Sequence, residues 1–329
     1  MILKHFYTNF HYLWTGVFFA KPQNLKHMYS LRITALVITS LLFACSASNP
    51  SEPPVNGPTQ TLSKQFKDYW YDGNAEIASY QLTQSRYGEQ RKGSAVWVFV
   101  TEDFSAKKQV KLDNPQAAGK DKVSVLKLNA LRKFVTGIYD YAIMQSVFTP
   151  IEVKQYPMSL KTTFSSQDWC GQSFMQLNYR DKGYEVKQFS YFESEGDEKI
   201  TLPATLLEDE IPNRIRFNPA ELPTGQISLI PSAVYARLQH KSIEPQQATV
   251  SLEDFSETES LYTIQYDNID RVVQFRFEKA FPNYITWWRE KDGNQPETIA
   301  TLLKHDRLPY WGLHDNDDLY LRDSIGMGL

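Results

Sequence analysis

The chain has 329 residues, 42% hydrophobic and 22% charged, which describes a globular protein with a sizeable core rather than a disordered chain or a multi-span membrane protein. An aromatic content of 14%, with 19 Tyr and 19 Phe, favours strands over helices. The net charge is −3; beyond residue 44, 31 basic residues face 38 acidic ones, a net charge of −7, and no basic block remains for nucleic acid.

Residues 28–45 read MYSLRITALVITSLLFAC: Arg32, then an apolar run from Ile33 to Ala44 that ends at Cys45. A run of 12 residues is too short to span a bilayer, which takes about 20 as a helix, and its proportions are those of a secretory signal peptide. The leader resembles a bacterial lipoprotein signal in Leu42, Ala44 and Cys45, and departs from it at Phe43, where a smaller residue is usual. The resemblance implies that Cys45 becomes the N-terminal, acylated residue and anchors the protein to a membrane of the cell envelope. Residues 1–27 hold a second apolar patch, FHYLWTGVFFA, and read as an extension ahead of a true start at Met28, or as an uncleaved N-terminal anchor. Residues 46–61, rich in Ser, Pro and Asn, read as a flexible tether.

The globular body is expected over 62–296. Leu62, Phe66 and Tyr69 have helical spacing and predict one short helix; the pattern then turns to period two. AEIASYQLTQSRYG and GSAVWVFVTEDF flank the turn EQRKG, and Ala95–Val100 is apolar on both faces, as in a central strand covered on each side. TGIYDYAIMQSVFTP fits helix or strand, and a short helix is the expectation. Alternation resumes through MSLKTTFSSQDW and SFMQLNYRDKGYEVKQFSYFESEG, while Pro212, Pro219 and Pro223 interrupt a segment that links two halves. QISLIPSAVYARLQHK, ATVSLEDF, SLYTIQYDN, DRVVQFRFEKAF and NYITWWREKDG supply further strands, with DNID as a hairpin turn. Over 297–329 a short helix, ETIATLLKH, and a polar tail are expected. Many short strands without βαβ alternation predict a mainly β fold, an antiparallel sheet curling into a barrel or half-barrel with a few short helices, with a β-sandwich as the alternative.

Chemistry is sparse. Asp168-Trp169-Cys170-Gly171 begins like a thioredoxin-type redox motif, but Ser173 stands at the second cysteine position, so no two-cysteine cycle is available. The flanks read as strands, and Cys170 is expected as a buried small hydrophobe in a turn. Asp168, Trp169 and Cys170 remain the speculative site. His314–Asp318 and Leu207–Glu210 are acidic stretches read as solvated faces, the second also as a helix start; neither has metal-ligand spacing, and no metal or cofactor is expected. GxGxxG, GxxxxGK[ST], GxSxG and HExxH are all absent. Tyr69, Trp70, Tyr71, Tyr139, Tyr141, Tyr191, Phe192, Trp287 and Trp288 read as core, with a ligand pocket as the sharper alternative.

The blocks DYWYDGNAEIASYQLTQSRYGEQRKGSAVWVFVTEDFSAKKQVKLDN, TGIYDYAIMQSVFTP and SQDWCGQSFMQLNYR resemble a family of uncharacterised bacterial envelope lipoproteins, over most of 65–290. Its members circulate under the label septum formation inhibitor Maf, which implies a cytoplasmic nucleotide pyrophosphatase. The N-terminal Ser-Pro-Arg-Arg block of that enzyme is absent here, and an exported lipoprotein lies in the wrong compartment for its work. The expected function is a non-enzymatic binding or assembly module for an apolar small molecule or an envelope protein, held to the membrane by its N-terminal lipid. An envelope enzyme using Asp168 and Cys170, or carboxylates that meet on folding, is the alternative.

Overall fold

The computed structural model describes residues 62–327. The expectations for the leader, Cys45 and the tether fall outside the described residues.

Fifteen strands form one sheet: β1 (Ala75–Arg86), β2 (Glu89–Ser105), β3 (Lys122–Thr136), β4 (Tyr139–Pro150), β5 (Lys161–Asp168), β6 (Gly171–Arg180), β7 (Gly183–Ser190) and β8 (Glu198–Pro203), then β9 (Leu206–Leu207), β10 (Gly225–Ile230), β11 (Gln246–Asp254), β12 (Glu259–Tyr266), β13 (Arg271–Glu278), β14 (Ile285–Asp292) and β15 (Thr298–Leu308). The spatial order runs from β8 down to β1, across to β15, and down again to β9. Every neighbouring pair is antiparallel except β9 with β10. The fold is therefore mainly β, one large antiparallel-dominated sheet that does not close. Its outer strands β8 and β9 are joined by only Ala204 and Thr205, which brings the two free edges close together.

Side-chain contacts across the concave face measure the curl. Arg132 on β3 and Glu290 on β14 are four strand steps apart, about 19 Å along a flat sheet. Their side chains nevertheless bond at 2.6 Å. Trp97 on β2 and Trp288 on β14 stack at 5.7 Å between ring centres, and the Tyr80 hydroxyl on β1 donates to the Ile285 carbonyl. One continuous core thus draws residues from β1–β4 and from β10–β15.

Short helices fill the concavity: α1 (Lys64–Trp70), α2 (Ile211–Phe217) and α3 (Ala233–Leu238). The Ser63 hydroxyl accepts the Phe66 amide and starts α1, which buries Phe66 and Trp70. In α2, Asn213 donates to the Leu126 carbonyl and to Thr149 Oγ1, fastening the helix to β3 and β4. A second core, of β4–β8 residues, closes over α3.

Three expectations are corrected. Residues 139–150 are β4, not a helix: Tyr141, Ile143 and Val147 face the core at period two, and the β-branched and aromatic content decides between two patterns of similar fit. Residues 298–308 are β15, not a helix, because this segment pairs with both β1 and β14 and joins the two halves of the sheet. Glu208, Asp209 and Glu210 are buried rather than solvated. They form a 3₁₀ turn leading into α2, inside the curl, where Glu208 accepts two bonds from Arg271 and one from Tyr266, and Glu210 accepts from Arg214 and the Ser159 amide. Sequence spacing places acids at a helix start; only the tertiary curl supplies the buried Arg271 that holds Glu208 and the Ser159 amide that meets Glu210.

Candidate functional site

The three residues singled out from the sequence sit together at the β5–β6 hairpin, where Asp168 pairs with Gly171 and Trp169-Cys170 form the two-residue loop. Gly171 is needed for close approach: a Cβ there would lie 2.6 Å from the Tyr191 ring. Asp168 turns to the concave side of the sheet, its carboxylate accepting the Cys170 amide at 2.7 Å and lying 4.0 Å from the Arg237 guanidinium. Arg237 is held by Ser173 Oγ at 2.8 Å and by the Phe192 ring face, and beside it His240 Nδ1 meets Glu195 at 2.6 Å. Ser173, Glu195, Arg237 and His240 line a small cavity of about 100 Å³.

Cys170 is exposed, which corrects its expected burial: the centre of a two-residue hairpin loop projects beyond both faces of the sheet. Its thiol pKa is raised, first by the hydrogen bond to the Asp168 carboxylate. A carboxylate partner stabilises the thiol over the thiolate, the reverse of what a nucleophilic cysteine needs. The neighbouring hairpin tips also expose apolar side chains, Tyr87, Ile138 and Trp169. No group of three His, Cys, Asp or Glu able to hold a metal occurs among the described residues.

Of the aromatic candidates, Trp70, Tyr141 and Trp288 are core, while Tyr71 and Tyr191 are exposed. The concave side is therefore occupied by protein. The roomy apolar space lies on the convex side.

There the chain after β15 folds back over the outside of the sheet through two 3₁₀ turns, Tyr310–Gly312 and Asn316–Asp318, and α4 (Tyr320–Ser324). Lys304 on β15 donates to the Asp323 carbonyl, and Ile325 is buried. Gly326, at φ +70°, passes so close to β1 that a Cβ would meet Ser79 Oγ at 3.0 Å. Between this strap and the strands is a cleft of about 420 Å³. Its floor is Ile77, Val96, Val98, Leu131 and Met144 with Ser79, Ser94 and Asn129 among them; Tyr310, Arg322, Gly326 and Met327 form the strap side, and Lys133 stands at its border. A second apolar recess continues under the strap, past Ile77 and Leu308 to Leu321 and Ile325. The volume falls within the roughly 300–1,000 Å³ of small-molecule sites. A larger groove of about 680 Å³ near Trp70 and Trp311 is more polar in character, and its Lys127 and Lys161 are engaged by Glu102 and the Gln109 carbonyl.

Sequence reasoning missed this cleft. Its signal was Ala95–Val100, where the expected covering of both faces is met on the inside by the core and on the outside by the strap. A subtler signal is parity: Leu131 faces out while Arg132 faces in, and Met144 faces out while Gln145 faces in. An apolar residue on the polar face, beside a polar one on the core face, marks a surface built for something other than water.

Compared with known proteins, the chain matches no family model, no curated protein and no solved structure.

Proposed function

We propose that this protein is a non-enzymatic binding module of the bacterial envelope, anchored through a lipid on Cys45, that holds an apolar small molecule in the cleft beneath its C-terminal strap. The observation that carries the reading is the cleft itself. Five apolar side chains on the convex face of the sheet, among Ser79, Ser94 and Asn129, face the chain's own C-terminal segment across an unfilled cleft. No helix among the described residues is long and apolar enough to cross a membrane, so attachment in this reading falls to the N-terminal lipid. Two acyl chains suffice for stable anchoring, each buried methylene contributing about 0.8 kcal/mol.

Two measurements on protein isolated from envelope membranes test the two halves of the proposal. Intact-mass analysis is expected to find an N-terminus at Cys45 carrying acyl chains; an unmodified N-terminus upstream of residue 45 would remove the anchor. Native mass spectrometry is expected to find an apolar molecule retained, and released by Leu131→Arg; ligand-free protein that also fails to take up any added apolar compound would remove the binding role. The enzyme reading on Asp168 and Cys170 draws no support from the geometry, since the carboxylate suppresses the thiolate.

A further inference from the structure

We infer that the occupant of the cleft is a single unbranched fatty-acid anion, lying across the strands with its tail running out from under the strap towards β7; this rests on the binding role proposed above. The strand registers place one side chain from each strand in a line across the convex face. Ser79 is opposite Val96, Val96 opposite Leu131, and Leu131 opposite Met144. The line continues from Met144 to Ser165, Phe174 and Phe189. Five of these seven residues are apolar, and Met144, Phe174 and Phe189 are 39%, 37% and 50% exposed. Beyond β2 the flanking lines are Asn129 and Ser146 on one side and Lys133, Ala142 and Gln167 on the other, polar but for Ala142, while Ile77 and Val98 flank the line on β1 and β2. Beyond β2 the apolar track is one residue wide between largely polar borders, which suits a narrow flexible chain over a broad ring system or a paired-chain lipid.

The dimensions agree. With the head at Lys133 on β3, the covered track runs two strand steps to β5, about 10 Å at 4.8 Å per strand. At about 1.3 Å per carbon, set by a 1.5 Å bond, that accommodates roughly seven carbons. The uncovered Phe174–Phe189 end, whose rings are 6.5 Å apart and nearly parallel, extends the track for a longer tail. Lys133 is exposed on the same outward face as Leu131 and has no ion-pair partner among the described residues, so it suits a carboxylate head.

The test is displacement of a fluorescent fatty acid from the full chain, kept in solution by an amphipathic polymer, by saturated acids of increasing length. Wild type is expected to bind acids more tightly with each added carbon up to about sixteen, by at most about fourfold per methylene. Phe174→Ser/Phe189→Ser, exposed positions whose loss leaves the core untouched, is expected to stop gaining at about eight carbons. Lys133→Ala is expected to weaken the acids about tenfold and leave the matching alcohols unchanged. Equal length dependence in wild type and the double variant would overturn this inference while leaving an apolar site in place. Displacement by a two-chain phospholipid as effective as by palmitate would overturn it as well. No displacement by any acid or alcohol would overturn the binding role itself.

Discussion

Asp209 is a buried carboxyl whose ionisation the fold opposes. Burial, and then the neighbouring Glu208 charge, push its pKa up to about 6, although Ser232 and the Ala233 amide partly offset them. A carboxyl whose pKa is higher in the folded than in the unfolded chain binds its proton more tightly when folded. Its contribution is complete below the unfolded value near 4 and is lost as pH rises through 6. Asp209→Asn is therefore expected to raise stability at pH 8, by up to about 3 kcal/mol, and to change little at pH 4. Urea denaturation at the two pH values reads this directly, and a gain that is equal at both would contradict it. Asp168 acts on Cys170 in the same sense. Asp168→Asn is expected to speed native-state reaction of Cys170 with a disulfide reagent at pH 7.5, because removing the carboxylate lowers the thiol pKa. An unchanged or slower rate would show that the thiol is not held by that oxygen. The identity of these residues was legible in the sequence, but their surroundings were not: Asp168 and Arg237 are 69 positions apart and meet only because α3 is drawn into the curl.

At the scale of elements, the hairpins were readable because turn residues punctuate a period-two pattern. Tyr87-Gly88, both at positive φ, form a tight two-residue turn where EQRKG had been expected to supply it, two residues further along. The two segments misread as helices, now β4 and β15, have apolar residues that satisfy both periods, and only pairing with neighbours selects the strand. Gly93 shows how closely such neighbours approach: a Cβ there would lie 2.4 Å from the Lys133 carbonyl and 2.8 Å from Phe134 Cβ. The strap is the element that the sequence hid most fully, because the polar stretch His314–Asp318 splits its apolar residues into two short clusters with no regular period. Gly326→Val places a branched side chain against Ser79 at a φ that disfavours it, and is expected to lift the strap without touching the concave core. The expected outcome is faster proteolysis after Leu308 and at least a tenfold loss of apolar-probe binding, with urea stability of the sheet within about 1 kcal/mol of wild type. Undiminished probe binding would dissociate the strap from the site.

For the whole molecule, the mainly β architecture follows from the aromatic and β-branched composition, yet the division of labour between its two faces does not. The concave face, where a ligand would ordinarily be sought in a curled sheet, is closed by α1, α2 and α3 and by ionic pairs such as Arg271 with Glu208 and Arg216 with Glu76. Buried pairs of this kind are costly to leave half-made: losing one partner typically costs 3–5 kcal/mol, because the other charge stays behind. They fix how far the sheet can curl, and so they set the shape of the convex face that carries the cleft. The placement of that cleft is tested most directly by photo-crosslinking. A palmitate bearing a mid-chain diazirine, added to the full chain in envelope membranes, is expected to label the outward side chains of β2–β4, near Val96, Leu131 and Met144, together with the strap near Met327. Labelling confined to the concave helices, or to residues outside the globular body, would contradict the account.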